Sequence, residues 1–218
     1  YADIHYLSRV NRLSNDKESI EIPFRAHDVL SLNEGVVVGF GRRPGMQCIK
    51  VEFSSGEITA LGASKGRYFY GHGCLSAANK VLFTTENDYE NARGVIGIRD
   101  VETLKVIGEF PSYGIGPHDI HLMPDQQTLV VAIGGVQTHP DFGRRQLNLK
   151  TMQSSLVYLD SQSGKKLGEY RMDDSLLSMR HLTVTAQGDV GVAAQFKGDI
   201  YRQKPRTLVA WQHYDRSL

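Results

Sequence analysis

His27-Asp28-Val29-Leu30-Ser31-Leu32, His72-Gly73-Cys74-Leu75-Ser76-Ala77, His118-Asp119-Ile120-His121-Leu122-Met123 and His181-Leu182-Thr183-Val184-Thr185-Ala186 are four versions of one phrase. Each opens on a histidine and continues as a short alternating strand. A turn follows, carried by Asn33-Glu34-Gly35, Ala78-Asn79-Lys80, Pro124-Asp125-Gln126 and Gln187-Gly188-Asp189. A second, more apolar strand then runs from Val36 to Phe40, Val81 to Thr85, Thr128 to Ile133 and Val190 to Ala194. Two strands joined by turn formers make a hairpin, and this hairpin occurs four times.

Beyond each hairpin lie a variable loop and a third strand, over Gln47 to Phe53, Val95 to Asp100, Ser155 to Asp160 and Thr207 to Tyr214. A fourth strand closes three of the units, over Glu57 to Leu61, Leu104 to Phe110 and Lys165 to Arg171. The histidines stand 45, 46 and 63 residues apart, and the longest interval holds an extra loop from about Gln137 to Ser154. A period of about 45 residues without helical periodicity is that of four-stranded propeller blades. The expected fold is therefore all-β, a β-propeller of antiparallel blades forming one domain over 1–218, with blades starting near His27, His72, His118 and His181. A sandwich would not explain the recurrence in register. Ile4 to Val10 and Ser19 to Phe24 read as the third and fourth strands of a preceding blade: this pair could close the last unit into a four-bladed ring, but Thr207 to Tyr214 would then be a surplus fifth strand, so the chain is expected to be part of a larger ring.

Composition narrows the function. The 25 Lys+Arg against 24 Asp+Glu leave a net charge of +1, without the basic excess that phosphate-backbone binding demands, so nucleic acid is not an expected partner. Apolar runs are strand-sized, far below the roughly 20 residues of a membrane-spanning helix. Cys48 and Cys74 sit in separate apolar strands and read as two buried thiols. No Gly-x-Ser-x-Gly elbow and no phosphate-cradling Gly-rich loop is present.

In a propeller, the entry to the first strand and the loop between the second and third strands emerge on one face. His27, His72, His118 and His181 are thus expected to share a rim with Arg42-Arg43, Glu86-Asn87-Asp88, His139 and Gln195, with the Gln137 to Ser154 loop above them. The ligand-binding candidates are His27, Arg43, His72, Glu86, Asn87, His118, His139, Arg180, His181 and Gln195. Imidazoles with Glu86 or Asp88 are adequate ligands for iron, zinc or copper, and His72, His118 and Glu86 form the candidate metal set. Four rim positions, however, are expected to lie too far apart for one ion. Arg42, Arg43 and Arg180 could clamp a carboxylate or phosphate. Each feature also has a structural alternative: a recurring histidine can bond the neighbouring blade, Asn87 and Asp88 suit a turn, Pro140 makes His139 a loop shoulder, and surface arginines are commonly solvated.

Phe69-Tyr70-Gly71-His72-Gly73, Thr84-Thr85-Glu86-Asn87-Asp88, Arg93-Gly94-Val95-Ile96-Gly97, Gly114-Ile115-Gly116-Pro117-His118, Gly134-Gly135-Val136-Gln137-Thr138-His139-Pro140 and Leu147-Asn148-Leu149 together resemble an uncharacterised bacterial family of exported propellers. That family is known only as a domain of unknown function. The resemblance implies a seven-bladed parent, a twin-arginine export signal, a periplasmic home and genomic neighbours of the imelysin type linked to iron uptake. It implies no activity. Gly116-Pro117-His118 followed by Pro124-Asp125 also resembles the lactonase-like propellers, which keeps open a hydrolase using His72, His118 and Glu86. The expected function is a periplasmic binding accessory that holds a small molecule or a protein partner at the histidine face, with a metal ion as candidate cofactor.

Overall fold

A computed structural model describes residues 3–42, 45–143, 145–205 and 207–213. Three four-stranded antiparallel meanders carry the fold. The first is β3 (Ala26–Asn33), β4 (Val36–Gly41), β5 (Gln47–Glu52) and β6 (Glu57–Gly62); the second is β7 (Tyr68–Leu75), β8 (Val81–Asp88), β9 (Arg93–Asp100) and β10 (Val106–Pro111). The third comprises β11 (Pro117–Leu122), β12 (Thr128–Ile133), β13 (Ser155–Asp160) and β14 (Lys166–Tyr170). A hairpin of β1 (His5–Val10) and β2 (Lys17–Ile22) precedes them, and a three-stranded sheet of β15 (Leu177–Val184), β16 (Val190–Phe196) and β17 (Val209–Gln212) follows. The expected strands are all present within a few residues. Tyr214, the expected end of the last strand, lies outside the described residues.

Each innermost strand neighbours the next, β3 beside β7, β7 beside β11 and β11 beside β15, so the sheets stand side by side like propeller blades. The core is accordingly divided into wafers between successive sheets. Along β12, Leu129, Val131 and Ile133 pack toward the second meander with Phe83 and Ile96, while Val130 and Ala132 pack toward Met179 and Val192 of the last sheet. A two-residue side-chain period explains how one strand serves two wafers, and why β12 reads as an unbroken apolar run. Val38, Phe40 and Cys48 meet Phe69 and Leu82 in a third wafer, and Leu7 and Ile22 meet Ile49 and Val51 in a fourth. Each buried aliphatic side chain contributes roughly 1.5–3 kcal/mol of transfer free energy.

The turns of the four hairpins each place one residue at positive φ, namely Gly35, Asn79, Gln126 and Gly188. These turns close the strands that hold the histidines. The 137–154 insertion contains two short 3-10 turns, Pro140–Phe142 and Leu149–Thr151. No helix among the described residues is long and apolar enough to cross a membrane.

Candidate metal centre

The alternation of a regular strand would send a side chain to every second position of one face. At the histidines that regularity breaks. Pairing in β3 skips His27, between Ala26 opposite Gly41 and Asp28 opposite Phe40, and pairing in β11 skips His118 in the same way. In β15 the skipped residue is Arg180, next to His181, and in β7 three residues, Tyr70, Gly71 and His72, oppose Thr85 alone. A β-bulge re-aims the side chain it carries. Four bulges at one repeat position thus turn four innermost strands toward a common point.

The bulge in β7 depends on Gly71, whose φ of 111° is costly for any residue with a Cβ. Thr85 occupies the gap opposite: its hydroxyl accepts the His72 backbone N–H at 3.3 Å and donates to the His72 carbonyl at 3.1 Å. The histidine backbone is therefore fixed by bonds outside the ladder.

His27, His72, His118 and His181 each offer one ring nitrogen such that all four atoms lie within 4.8 Å of one another. Ring centroids of adjacent members are 4.9 Å apart for His27 and His72, 5.0 Å for His72 and His118, and 5.0 Å for His118 and His181. A tetrahedral ion bound at about 2.0–2.1 Å spaces its ligand nitrogens roughly 3.3 Å apart, so side-chain shifts of about an ångström suffice to close the set. The expectation that the rim positions are too widely spread for one ion is corrected: one nitrogen of each ring lies within 4.8 Å of the other three.

Behind the rings stand two carboxylates. His72 Nδ1 lies 3.0 Å from Asp28 Oδ2 and 3.6 Å from Asp119 Oδ1. Asp119 also lies 3.5 Å from His121 Nε2 and 3.9 Å from His181 Nδ1, and it accepts the Leu182 backbone N–H at 2.9 Å. Burial opposes ionisation of both acids, but His72 at Asp28, and His121 with His72 at Asp119, outweigh it and hold both below the usual carboxylate range. An ionised carboxylate can only accept, so whenever His72 is in its neutral form Nδ1 carries the proton and Nε2 keeps its lone pair. His72 Nε2 is buried and finds no hydrogen-bond partner among the described residues. Carboxylate at one imidazole nitrogen and a ligand at the other is the arrangement by which proteins orient metal-binding histidines. Burial, then the neighbouring charge of His72, holds His181 below the usual histidine range and favours the neutral form that coordinates.

A family model described as "Protein of unknown function (DUF1513)" matches residues 20–218. The chain belongs to this family. Comparison with curated proteins finds no match. Among solved structures, a chain of hydrazine synthase from Kuenenia stuttgartiensis is similar with a TM-score of 0.69 and 13% identity, over 88% of the present chain and 50% of that one. The DUF1513 chain thus spans half the length of that relative, and at this identity the likeness concerns the propeller-like fold alone.

The other candidate residues of the DUF1513 chain are distributed unevenly. Arg180 and Gln195 line a cavity of about 410 Å³ together with His27, His118, His181 and Arg42. Glu86 is placed differently from the candidate set that joined it to His72 and His118. Its Oε1 receives Arg99 Nη2 at 2.7 Å and the Thr84 hydroxyl at 2.7 Å, inside the second meander and almost without solvent contact. Neither the metal set nor an acid/base trio built on Glu86 survives that pairing. Asn87 accepts the Gly116 backbone N–H at 3.1 Å and so supports the turn leading into His118. His139 caps the Pro140–Phe142 turn through the Asp141 N–H at 3.2 Å and packs against Tyr89 and Phe142. Arg43 lies outside the described residues. Asp28, Asp119 and His121 are the groups missed by the sequence reading, although an aspartate directly follows the repeat histidine in both β3 and β11.

Proposed function

We propose that this DUF1513 protein binds one divalent transition-metal ion between His27, His72, His118 and His181, as a periplasmic accessory in metal acquisition rather than as a hydrolase. The observation that carries the reading is the convergence of four ring nitrogens within 4.8 Å, each on the inner strand of a different blade. An all-imidazole set suits zinc, copper, nickel or iron(II) and is too soft for magnesium or calcium. Asp28 and Asp119 supply orientation and offset the ion's charge. The periplasmic setting, the larger ring and the link to iron uptake rest on the family-like motifs of the sequence, Arg93-Gly94-Val95-Ile96-Gly97 and Gly114-Ile115-Gly116-Pro117-His118 among them.

The test is metal analysis of chelator-stripped protein reloaded separately with zinc and with copper. One ion per chain is expected, lost when His72 and His118 are both replaced by alanine. Loading that stays equal in wild type and the double variant would refute the proposal.

A further inference from the structure

The four histidines do not surround their centre evenly. His72 and His118 are buried and His27 and His181 exposed, and all but His72 border the cavity of about 410 Å³. One side of the centre is thus closed by protein and the other opens into a chamber. Copper(II) with four nitrogen donors takes a tetragonal arrangement that leaves axial positions for a further ligand. The chamber is where such a ligand would come from.

Its walls are cationic. Arg42 and Arg180 line it, Gln195 adds an amide, and no carboxylate is among the described residues of the lining. Asp28 is held by His72, and Asp119 lies against the ring nitrogens of His72, His121 and His181, so both acids stand behind the rings and not in the chamber. Ala193 and Ala194 complete the wall with small side chains that leave room beside the rings. Arg180 has a further distinction: it occupies in β15 the bulge position that His27 occupies in β3 and His118 in β11. The backbone device that aims two histidines at the centre here aims a guanidinium. Arg180 is also only 6% exposed, and a guanidinium shielded from bulk water bonds an oxyanion far more strongly than one on the surface.

We infer that the chamber binds a small oxyanion, a carboxylate or phosphate, which ligates the metal through one oxygen and is clamped by Arg180 and Arg42. This rests on the proposed metal centre and specifies what that centre receives.

The experiment uses the full chain loaded with copper(II), whose visible and paramagnetic-resonance spectra respond to an added oxygen ligand. Acetate, citrate and phosphate are titrated in separate arms, which distinguishes a carboxylate ligand from a phosphate one. At least one arm is expected to give a saturable spectral shift whose dissociation constant rises about tenfold or more in Arg180→Gln and in Arg42→Gln, with copper stoichiometry retained. Arg42 is exposed, so its variant tests the clamp even if the Arg180 variant folds poorly. Copper bound at full stoichiometry with no shift in any arm, or shifts of equal affinity in wild type and Arg42→Gln, would overturn the oxyanion assignment and leave the metal centre standing. Failure to bind copper would overturn both.

Discussion

Nδ1 of His72 donates to Oδ2 of Asp28 across 3.0 Å and 44 residues of chain, joining the innermost strands of two neighbouring blades. The bond fixes the ring's tautomer and thereby frees Nε2 for a ligand. Replacing Asp28 by asparagine keeps the shape and removes the charge. Metal affinity, read by competition with a chromophoric chelator, is expected to fall ten- to a hundredfold. The Asp28 side chain is 38% exposed, so folding should survive, and unchanged affinity would deny the carboxylate its orienting part.

Gly71 tests the bulge without replacing a ligand. A Cβ there would come 2.5 Å from Cδ2 of His27, on a backbone with φ of 111°. Gly71→Ala is expected to cost about 1–3 kcal/mol of stability from strain and to weaken metal binding as His27 is displaced. Gly66→Ala is the control, since Gly66 also has positive φ, at 75°, but nothing lies within 4 Å of its added Cβ. Chemical denaturation of both variants should show destabilisation, with metal affinity reduced in Gly71→Ala alone. Equal affinities in the two would contradict the steric link.

Glu86 and Arg99 form an ion pair at 2.7 Å with side chains 3% and 1% exposed. Removing one partner strands a buried charge, at a cost of about 3–5 kcal/mol. Guanidinium unfolding of Glu86→Gln should therefore show a large drop in midpoint, while the folded protein retains its full complement of metal. Lost metal at unchanged stability would instead place Glu86 in the site.

Cys48 and Cys74 are both free and buried, and burial pushes the Cys48 thiol up to about 12 and raises Cys74 as well. The thiolate is the reactive form, so a disulfide-exchange reagent at pH 8 should leave both untouched in native protein and titrate both once it unfolds. Rapid reaction of either thiol in native protein would show that the wafers holding them open readily.

Much of the fold was legible because its signals are local and repeated. Turn formers such as Gly35, Asn79 and Gly188 mark each hairpin, and the double-sided burial of β12 shows as the run Thr128 to Ile133. The four histidines were legible as a face for the same reason. Their convergence was not, because it depends on bulges, and the residues that make them, Gly71 apart, carry no distinctive local signal. Alternation applied naively sends Asp28 and Asp119 away from the histidines they follow, and so hides the acids nearest the rings. Glu86 misled in the opposite sense. A carboxylate near a strand end looks available until the partner strand supplies Arg99, thirteen residues later in chain and inside the same meander.

The account turns on four imidazoles meeting one ion. X-ray absorption at the zinc edge of stoichiometrically loaded protein counts and identifies the ligands directly. Four nitrogen scatterers at about 2.0–2.1 Å, with the outer-shell pattern of imidazole, are predicted, falling to three in His181→Ala. A shell dominated by oxygen, or one unaltered by that substitution, would contradict a four-histidine centre.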